Sequence, residues 1–164
     1  MSMISILKAS LWNDGEQLYC DIDTFEEMHK QAVNILPASI LQQISMPAYL
    51  REQWEKDILK QISYYAKYSY VQKRLPISVP FVILKGTSAS QYYPHSEYRT
   101  LGNIDIMTSR KDFDAAYQEL LDNGYKNTKS LLREETFVKN GIIIELHRYF
   151  ASFNDPEKAK YLNF

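Results

Sequence analysis

The spacing of apolar residues changes at Pro76, and this change constrains the fold more than any other feature. Before it, apolar side chains recur every three to four residues, as in a long segment over residues 47 to about 74. After it, a short apolar run over 80–85 and an alternating pattern over 103–107 have the character of strands. The sequence therefore predicts an α/β (α+β) fold preceded by a helical N-terminal part.

The helical part is expected to serve packing, because it carries apolar stripes and no cluster of catalytic side chains. A capping box formed by Thr24 and Glu27 is expected to begin a second helix that Pro37 ends, and a short helix is expected over 38–44. Pro47 suits the first turn of the long helix. In the first helix, which Gly15 is expected to end, the stripe expected to pack is Ile4, Leu7, Leu11 and Trp12. The corresponding stripe in the second helix is Phe25, Met28, Ala32 and Ile35. In the long helix it is Leu50, Trp54, Ile58, Ile62 and Tyr65. Tyr64, Tyr65, Tyr68 and Tyr70 are likewise expected to pack rather than to stack on bases.

The second half predicts strands and helices in alternation. A strand over 80–85, buried on both faces, is followed by a tight turn into a helix, and a half-buried strand follows over 103–107. A helix capped by 109–112 should end at Gly124 in a left-handed conformation. Asn140-Gly141 predicts a hairpin between strands at 135–139 and 142–150. We expect a helical part at 1–77 and an α/β core at 78–164, or one compact domain overall.

Composition excludes several classes of function. The 164 residues carry 19 basic and 20 acidic side chains, so non-specific binding to duplex DNA is not expected. With Cys20 as the single cysteine, no internal disulfide can form, and a small buried hydrophobe is the expected role. Neither a signal peptide nor a membrane span is recognisable, so a cytoplasmic location without a membrane partner is expected.

Polar residues that could hold a metal ion alternate along two predicted strands. Asn103 and Asp105 share one face of their strand, and Glu145 and His147 share one face of the last strand. If the two strands are neighbours, these side chains form a single polar surface. Magnesium favours clustered carboxylates together with substrate phosphates, and two such ions would support in-line phosphoryl transfer.

The turn after the first strand predicts a phosphate site. Gly86, Thr87 and Ser88 offer backbone amides and hydroxyls at the start of a helix, where the helix dipole would also favour an anion. Lys85 precedes this turn directly, and Arg99 lies on the loop before the acidic strand. Both side chains could add positive charge to the site.

The order of these motifs resembles a known family. Leu84-Lys-Gly-Thr-Ser88, Arg99-Thr-Leu-Gly-Asn-Ile-Asp-Ile106 and Ile144-Glu-Leu-His147 are similar to the motifs of the uncharacterised nucleotidyltransferase family, within the polymerase-beta-like superfamily. Leu121-Asp-Asn-Gly-Tyr125 and the opening Ile6-Leu-Lys-Ala-Ser-Leu-Trp12 are also similar to family segments. The resemblance spans most of the chain and is densest over 82–150.

The resemblance implies a mixed sheet flanked by helices and magnesium-dependent transfer of a nucleotidyl group, with Mn²⁺ as the alternative ion. The donor would be a nucleoside triphosphate, and the acceptor a small molecule, a protein or an RNA. Asp105, Glu145 and Asn103 would form the catalytic and metal-binding set. The residues implied to bind the nucleotide are Lys85, Gly86, Thr87, Ser88 and Arg99. A second subunit is one source of a complete acceptor site.

Asn103 departs from the family pattern, which has aspartate at this position. An amide oxygen can still ligate magnesium, but it adds no negative charge and cannot bridge two ions as a carboxylate does. The third metal position is therefore weakened. The alternative hypothesis is a catalytically degenerate protein that binds nucleotides or other proteins, for instance as a toxin–antitoxin component.

Four of these residues could also have a purely structural role. Asp105 and Glu145 could be solvated strand residues, and His147 is expected to be a hydrogen-bonded strand histidine rather than a ligand. Lys85 ends a buried strand, so it must reach solvent or an anion. A phosphate and a structural ion pair are equally consistent with that position.

Overall fold

The chain divides into two compact units in the computed structural model, which describes residues 2–12 and 18–148. The first unit holds the described residues up to Lys67 together with Ser90–Leu101. The second holds Tyr68–Ala89 together with the described residues from Gly102 onward. These units interleave along the chain, and the boundary at residues 77/78 stays a prediction about how the chain divides into domains.

Helices dominate the first unit. Two very short strands, β1 (Leu18–Tyr19) and β2 (Ile44–Ser45), pair in parallel. A 3₁₀ turn at Ser96–Tyr98 lies in the loop segment of the unit. The bounds in chain order are α1 Met3–Trp12, β1 Leu18–Tyr19, α2 Ile22–Lys30, a 3₁₀ helix Leu36–Gln43, β2 Ile44–Ser45 and α3 Ala48–Gln72, whose last five residues belong to the second unit.

The buried face of α1 is not the predicted one. Ile6 and Ala9 are buried in the core of the unit, whereas Ile4 and Trp12 are 57% and 71% exposed. The prediction was wrong because apolar residues lie on several sides of this helix, so their spacing does not select a face. The expected stop at Gly15 lies outside the described residues.

Asp21, and not Thr24, caps α2. The Asp21 carboxylate accepts a hydrogen bond from the Thr24 N–H at 2.8 Å, so the helix begins one turn earlier than the predicted capping box. Its apolar residues Phe25 and Met28 are buried as expected. The helix ends at Lys30 and the exposed Ala32 takes a φ of 54°, so the predicted continuation to Pro37 was wrong.

The long helix α3 agrees closely with the predicted span. Leu50 and Trp54 are buried, but Ile62 is 37% exposed and Gln61 is buried in its place. Gln61 donates a hydrogen bond to the Arg99 carbonyl at 2.6 Å, and this bond satisfies the buried amide. Of the tyrosines expected to pack, Tyr68 is buried, whereas Tyr64 and Tyr70 are exposed, because the four residues lie on different sides of the helix.

Among the described residues of the second unit, five strands form a mixed sheet, with the bounds β3 Phe81–Ile83, β4 Ile104–Thr108, β5 Lys126–Ser130, β6 Glu134–Lys139 and β7 Ile142–His147. Their order in the sheet is β3-β4-β7-β6-β5. The pairing of β4 with β7 is parallel, and the other neighbours are antiparallel. The helices in this part of the chain are α4 Thr87–Ser90, whose last residue belongs to the first unit, and α5 Phe113–Asp122. This mixed sheet with helices, preceded by an N-terminal helical part, confirms the predicted fold class.

The predicted hairpin is confirmed. Asn140 and Gly141 take φ values of 51° and 72°, as expected for the two-residue turn that joins twisted antiparallel strands. The turn pairs Lys139 with Ile142, and this pairing sets the register of the whole β6–β7 ladder. Residues 149 and 150, predicted to extend β7, lie outside the described residues.

The two edge strands were the harder ones to predict. β3 lies at the edge of the sheet and Val82 is 52% exposed, so the expectation of a strand buried on both faces was wrong. β5, a polar Lys-Asn-Thr-Lys-Ser segment at the other edge, was not predicted at all. α5 ends as expected, with Gly124 at a φ of 77°. In the described part of the chain, no helix combines the length and apolarity that a bilayer crossing requires.

Candidate metal and nucleotide site

The parallel pairing of β4 with β7 brings the predicted carboxylates together. Asp105 lies directly opposite Glu145, and Met107 lies opposite His147. Because side chains alternate along a strand, Asp105 and Glu145 project from the same face of the sheet. Ile104 and Ile144 are paired in the same way on the other face, where both are buried.

Asp105 is fully buried, so the alternative of a solvated strand residue is wrong for it. Its Oδ1 atom lies 2.9 Å from Lys85 Nζ and 3.1 Å from His147 Nε2. Its Oδ2 atom is buried and has no hydrogen-bond partner among the described residues. An ionised carboxylate can accept at both oxygens, so one acceptor of a buried charged group is left unused.

The surroundings of Asp105 stabilise its ionised form. Burial is the largest single influence and raises the pKa of Asp105, but the hydrogen bonds and positive charges of His147 and Lys85 together outweigh it. The net result is a pKa below the usual range of aspartate. The carboxylate is therefore negative at neutral pH.

Lys85 reaches Asp105 because the end of β3 is fixed beside it. The Leu84 N–H donates to the Asp105 carbonyl at 3.0 Å, which places the next residue against the Asp105 carboxylate. Lys85 forms the ion pair with a side chain that is 61% exposed. Of the two alternatives, the structure therefore shows the ion pair, while the exposed side chain leaves a phosphate contact as a prediction.

His147 is buried between carboxylates. Its Nε2 atom lies 3.1 Å from Asp105 Oδ1 and 3.8 Å from Glu145 Oε2, and its Nδ1 atom lies 3.5 Å from Glu134 Oε2. The contact with Asp105 shows a hydrogen-bonded strand histidine, as expected, and leaves open whether His147 is also a ligand. We call Asp105, Glu145 and His147 the carboxylate–histidine cluster, since one potential ligand atom of each lies within 4.8 Å of the others.

Glu134 is a neighbour of this cluster that lies outside the sequence motifs of the predicted site. It is buried, faces His147 across the β6–β7 ladder and lies 2.9 Å from Arg133 Nε. The signal was available, because a two-residue turn at Asn140-Gly141 fixes the register and pairs residue 134 with residue 147.

The glycine turn lies against the backbone that leads into β4. Gly86 has a φ of 68°, and a Cβ atom built on it would lie 3.1 Å from the Asn103 carbonyl oxygen. The Thr87 hydroxyl donates to the Gln72 side chain. The helix after the turn, α4, has only four residues, so the expected contribution of a helix dipole is small.

The structure thus brings together most of the predicted site. Within the second unit, the turn at Gly86 adjoins Asn103, and Asp105 contacts Lys85 and pairs in register with Glu145. Arg99 belongs to the first unit, where its carbonyl accepts the bond from Gln61. Its proposed contact with a nucleotide stays a prediction.

A mixed sheet that sets paired carboxylates beside a glycine turn is the kind of core that nucleotidyltransferases of the polymerase-beta-like superfamily use, as the sequence resemblance implies. The model of the family described as uncharacterised nucleotidyltransferase matches residues 26–162 of the chain. The chain belongs to this family. No curated protein and no solved structure gives a significant match to it.

Proposed function

We propose that the protein transfers a nucleotidyl group from a nucleoside triphosphate to an acceptor hydroxyl, with pyrophosphate as the leaving group and a divalent metal ion as the cofactor. The observation that carries the proposal is the opposed pair Asp105 and Glu145 on parallel neighbouring strands. Membership of a nucleotidyltransferase family supports the general activity. The acceptor, whether a small molecule, a protein or an RNA, is proposed only as a class.

The residues present fit a divalent ion. Asp105 supplies a negative, buried carboxylate with an unused oxygen, and Glu145, whose side chain is 24% exposed, adds a second carboxylate on the same face. Magnesium or manganese would bind such oxygen ligands and neutralise the charge that develops on the phosphates during transfer. Asn103, next to the Gly86 turn, would hold a weaker third position through its amide oxygen.

The Gly86 turn would bind the triphosphate. Gly86 takes a φ of 68°, which allows the tight turn, and Thr87 and Ser88 follow with hydroxyls. Lys85 lies between this turn and Asp105, and its exposed side chain can exchange the carboxylate for a phosphate. Arg99 would add a second positive charge. Either Asp105 or Glu145 would accept the proton of the acceptor hydroxyl.

A nucleotide-transfer assay tests the proposal. The protein is incubated with triphosphates labelled in the α-phosphate, with Mg²⁺ or Mn²⁺, and with pools of small molecules, proteins and RNA as acceptors. We expect labelled product from the natural chain and none from Asp105→Asn, which keeps the size of the side chain and removes its charge. Asp114→Asn, at an exposed position on α5, is the matched control and should behave like the natural chain. Equal labelling by Asp105→Asn and the natural chain would contradict the assignment of Asp105.

The neutral Asn103 favours a second function, a catalytically degenerate protein that binds nucleotides or protein partners. The variant Asn103→Asp distinguishes the two, because it restores the third carboxylate of the family pattern. An active natural chain that gains activity in this variant supports a weakened enzyme. If only the variant transfers nucleotides, the natural chain is a binding protein on an enzyme scaffold. If neither form binds nucleotides, an interaction role is favoured.

A further inference from the structure

We infer that His147 supplies a nitrogen ligand to the divalent ion of the carboxylate–histidine cluster and makes the site prefer Mn²⁺ to Mg²⁺. The inference rests on the proposed metal-dependent function. The inference goes beyond that function because it names a ligand outside the oxygen set Asp105, Glu145 and Asn103. It also names the ion that this ligand selects.

The position of the His147 ring is the first argument. One nitrogen, Nε2, approaches both carboxylates of the cluster, at 3.1 Å from Asp105 Oδ1 and 3.8 Å from Glu145 Oε2. An ion bound by both carboxylates would therefore also lie within reach of this nitrogen. The pairing of β4 with β7 fixes this arrangement through the backbone, since Asp105 opposes Glu145 and Met107 opposes His147.

Burial of an unused acceptor is the second argument. Asp105 is fully buried, and its Oδ2 atom has no hydrogen-bond partner among the described residues. Leaving a charged oxygen unpaired away from water is unfavourable, so a cation at this point would relieve a cost that the folded chain carries. This observation points to a ligand independently of the His147 geometry.

The contact of the second ring nitrogen of His147, Nδ1, is the third argument. Histidines that bind metals usually hold their second ring nitrogen against a carboxylate, which fixes the tautomer that exposes the ligating nitrogen. Glu134 has this position, with its Oε2 atom 3.5 Å from His147 Nδ1. Arg133 Nε, 2.9 Å from the same oxygen, balances the charge of Glu134 and keeps that carboxylate from being a competing metal site.

The donor set determines the ion. Mg²⁺ prefers oxygen ligands, whereas imidazole nitrogen suits first-row transition ions, and carboxylates suit Mn²⁺ as well as Mg²⁺. Two carboxylates and one imidazole therefore favour Mn²⁺. Asn103 strengthens the effect, because the neutral amide gives Mg²⁺ one charged oxygen fewer than the family pattern would.

Electron paramagnetic resonance with Mn²⁺ as the only added metal tests the inference directly. A nitrogen bound to Mn²⁺ produces a ¹⁴N modulation in pulsed spectra. We expect this modulation in the natural chain and its loss in His147→Gln, which offers an amide at similar reach. The chain has three histidines, so the double variant His29→Gln/His95→Gln is the control and should retain the signal. Circular dichroism establishes that each variant is folded.

Competition titrations provide the second readout. We expect His147→Gln to bind Mn²⁺ about tenfold more weakly while its affinity for Mg²⁺ changes by less than about twofold. Glu134→Gln should retain the ¹⁴N modulation and weaken Mn²⁺ binding by about tenfold. The Glu134→Gln variant therefore tests whether Glu134 orients the His147 ring, while His147 itself stays in place.

The outcomes separate the inference from the proposed function. Modulation that persists in His147→Gln, or is lost in the double control variant, would overturn the inference alone. So would metal–triphosphate binding by the natural chain without any ¹⁴N modulation. A natural chain that binds neither ion, with or without triphosphate, would overturn the inference together with the metal dependence of the proposed function.

Discussion

Lys85 and Asp105 form an ion pair in which Nζ lies 2.9 Å from Oδ1, with the lysine side chain exposed and the aspartate fully buried. The pair joins the residue before the glycine turn to the central residue of the proposed metal site. The positive charge of Lys85 therefore weakens the binding of a cation at Asp105 and strengthens the binding of phosphate groups at the turn.

Removal of this charge should separate the two effects. We expect Lys85→Met to bind Mn²⁺ or Mg²⁺ about three- to tenfold more tightly than the natural chain, and to bind triphosphate alone more weakly by about the same factor. Both changes should be modest because solvent screens the exposed ammonium group. Isothermal titration calorimetry measures both affinities. Lys111→Met, at an exposed position before α5, is the control and should change neither. If Lys85→Met weakened both, the lysine would hold the site together rather than compete for it.

The glycine turn predicts a stability effect with a matched control. Gly86→Ala would place a Cβ atom 3.1 Å from the Asn103 carbonyl at a φ of 68°, so we expect it to lower the free energy of unfolding by about 1 to 2 kcal/mol. It should also weaken triphosphate binding. Gly102→Ala has no heavy atom within 4 Å of the added Cβ and should cost much less. Urea denaturation of both variants makes the comparison, and equal losses would show that the turn is not conformationally restricted.

Glu135 predicts a pH dependence of stability. Burial is the largest influence and raises its pKa, but hydrogen bonds from Arg148, Ser130 and Asn127 outweigh it and leave the pKa lowered. These partners lie at 2.8 to 2.9 Å from the carboxylate. Because the pKa is lower in the folded than in the unfolded state, the stabilisation is present above the unfolded value and is lost as the pH falls through the folded one.

The variant Glu135→Gln should therefore be less stable than the natural chain near pH 7, by about 1.5 to 3 kcal/mol. The difference should shrink as the pH falls below the ordinary glutamate value of about 4.3. Denaturant titrations between pH 3 and 7 measure it, with Glu55→Gln, an exposed glutamate of α3, as the control. A difference that stayed constant over this range would mean that the charge of Glu135 does not contribute.

Cys20 predicts a lack of reactivity. Burial, with a smaller effect of the Asp21 charge, raises the pKa of the Cys20 thiol to about 11, so almost no thiolate is present at neutral pH. We expect a thiol reagent to label the folded protein at pH 7.5 only as fast as it unfolds, and to label it fully in urea. Mass spectrometry follows the reaction, and rapid labelling without denaturant would show that Cys20 is accessible.

Those parts of the site that depend on local sequence patterns were predictable from the sequence. The alternation of side chains placed Asp105 and Glu145 on polar strand faces, and Asn140-Gly141 fixed the hairpin. The same register is sufficient to predict the contact between Glu134 and His147, although this contact is not among the sequence predictions above.

Other features depended on tertiary contacts that no local pattern specifies. The polar edge strand β5 packs too little apolar surface to be recognised, and the apolar residues of α1 lie on several sides, so Ile6 was not distinguishable from Ile4. The partner of Lys85 depends on the bond between Leu84 and Asp105 at the end of β3, which fixes a distance that sequence leaves open.

Calorimetric titration of a non-hydrolysable triphosphate, with and without divalent metal, tests the central claim most directly. If Asp105 and Glu145 hold the metal that binds the phosphates, the natural chain and Asp114→Asn will bind the triphosphate tightly only when Mn²⁺ or Mg²⁺ is present, and Asp105→Asn will lose this dependence on metal. Equal metal-dependent binding by Asp105→Asn and the natural chain would contradict the account.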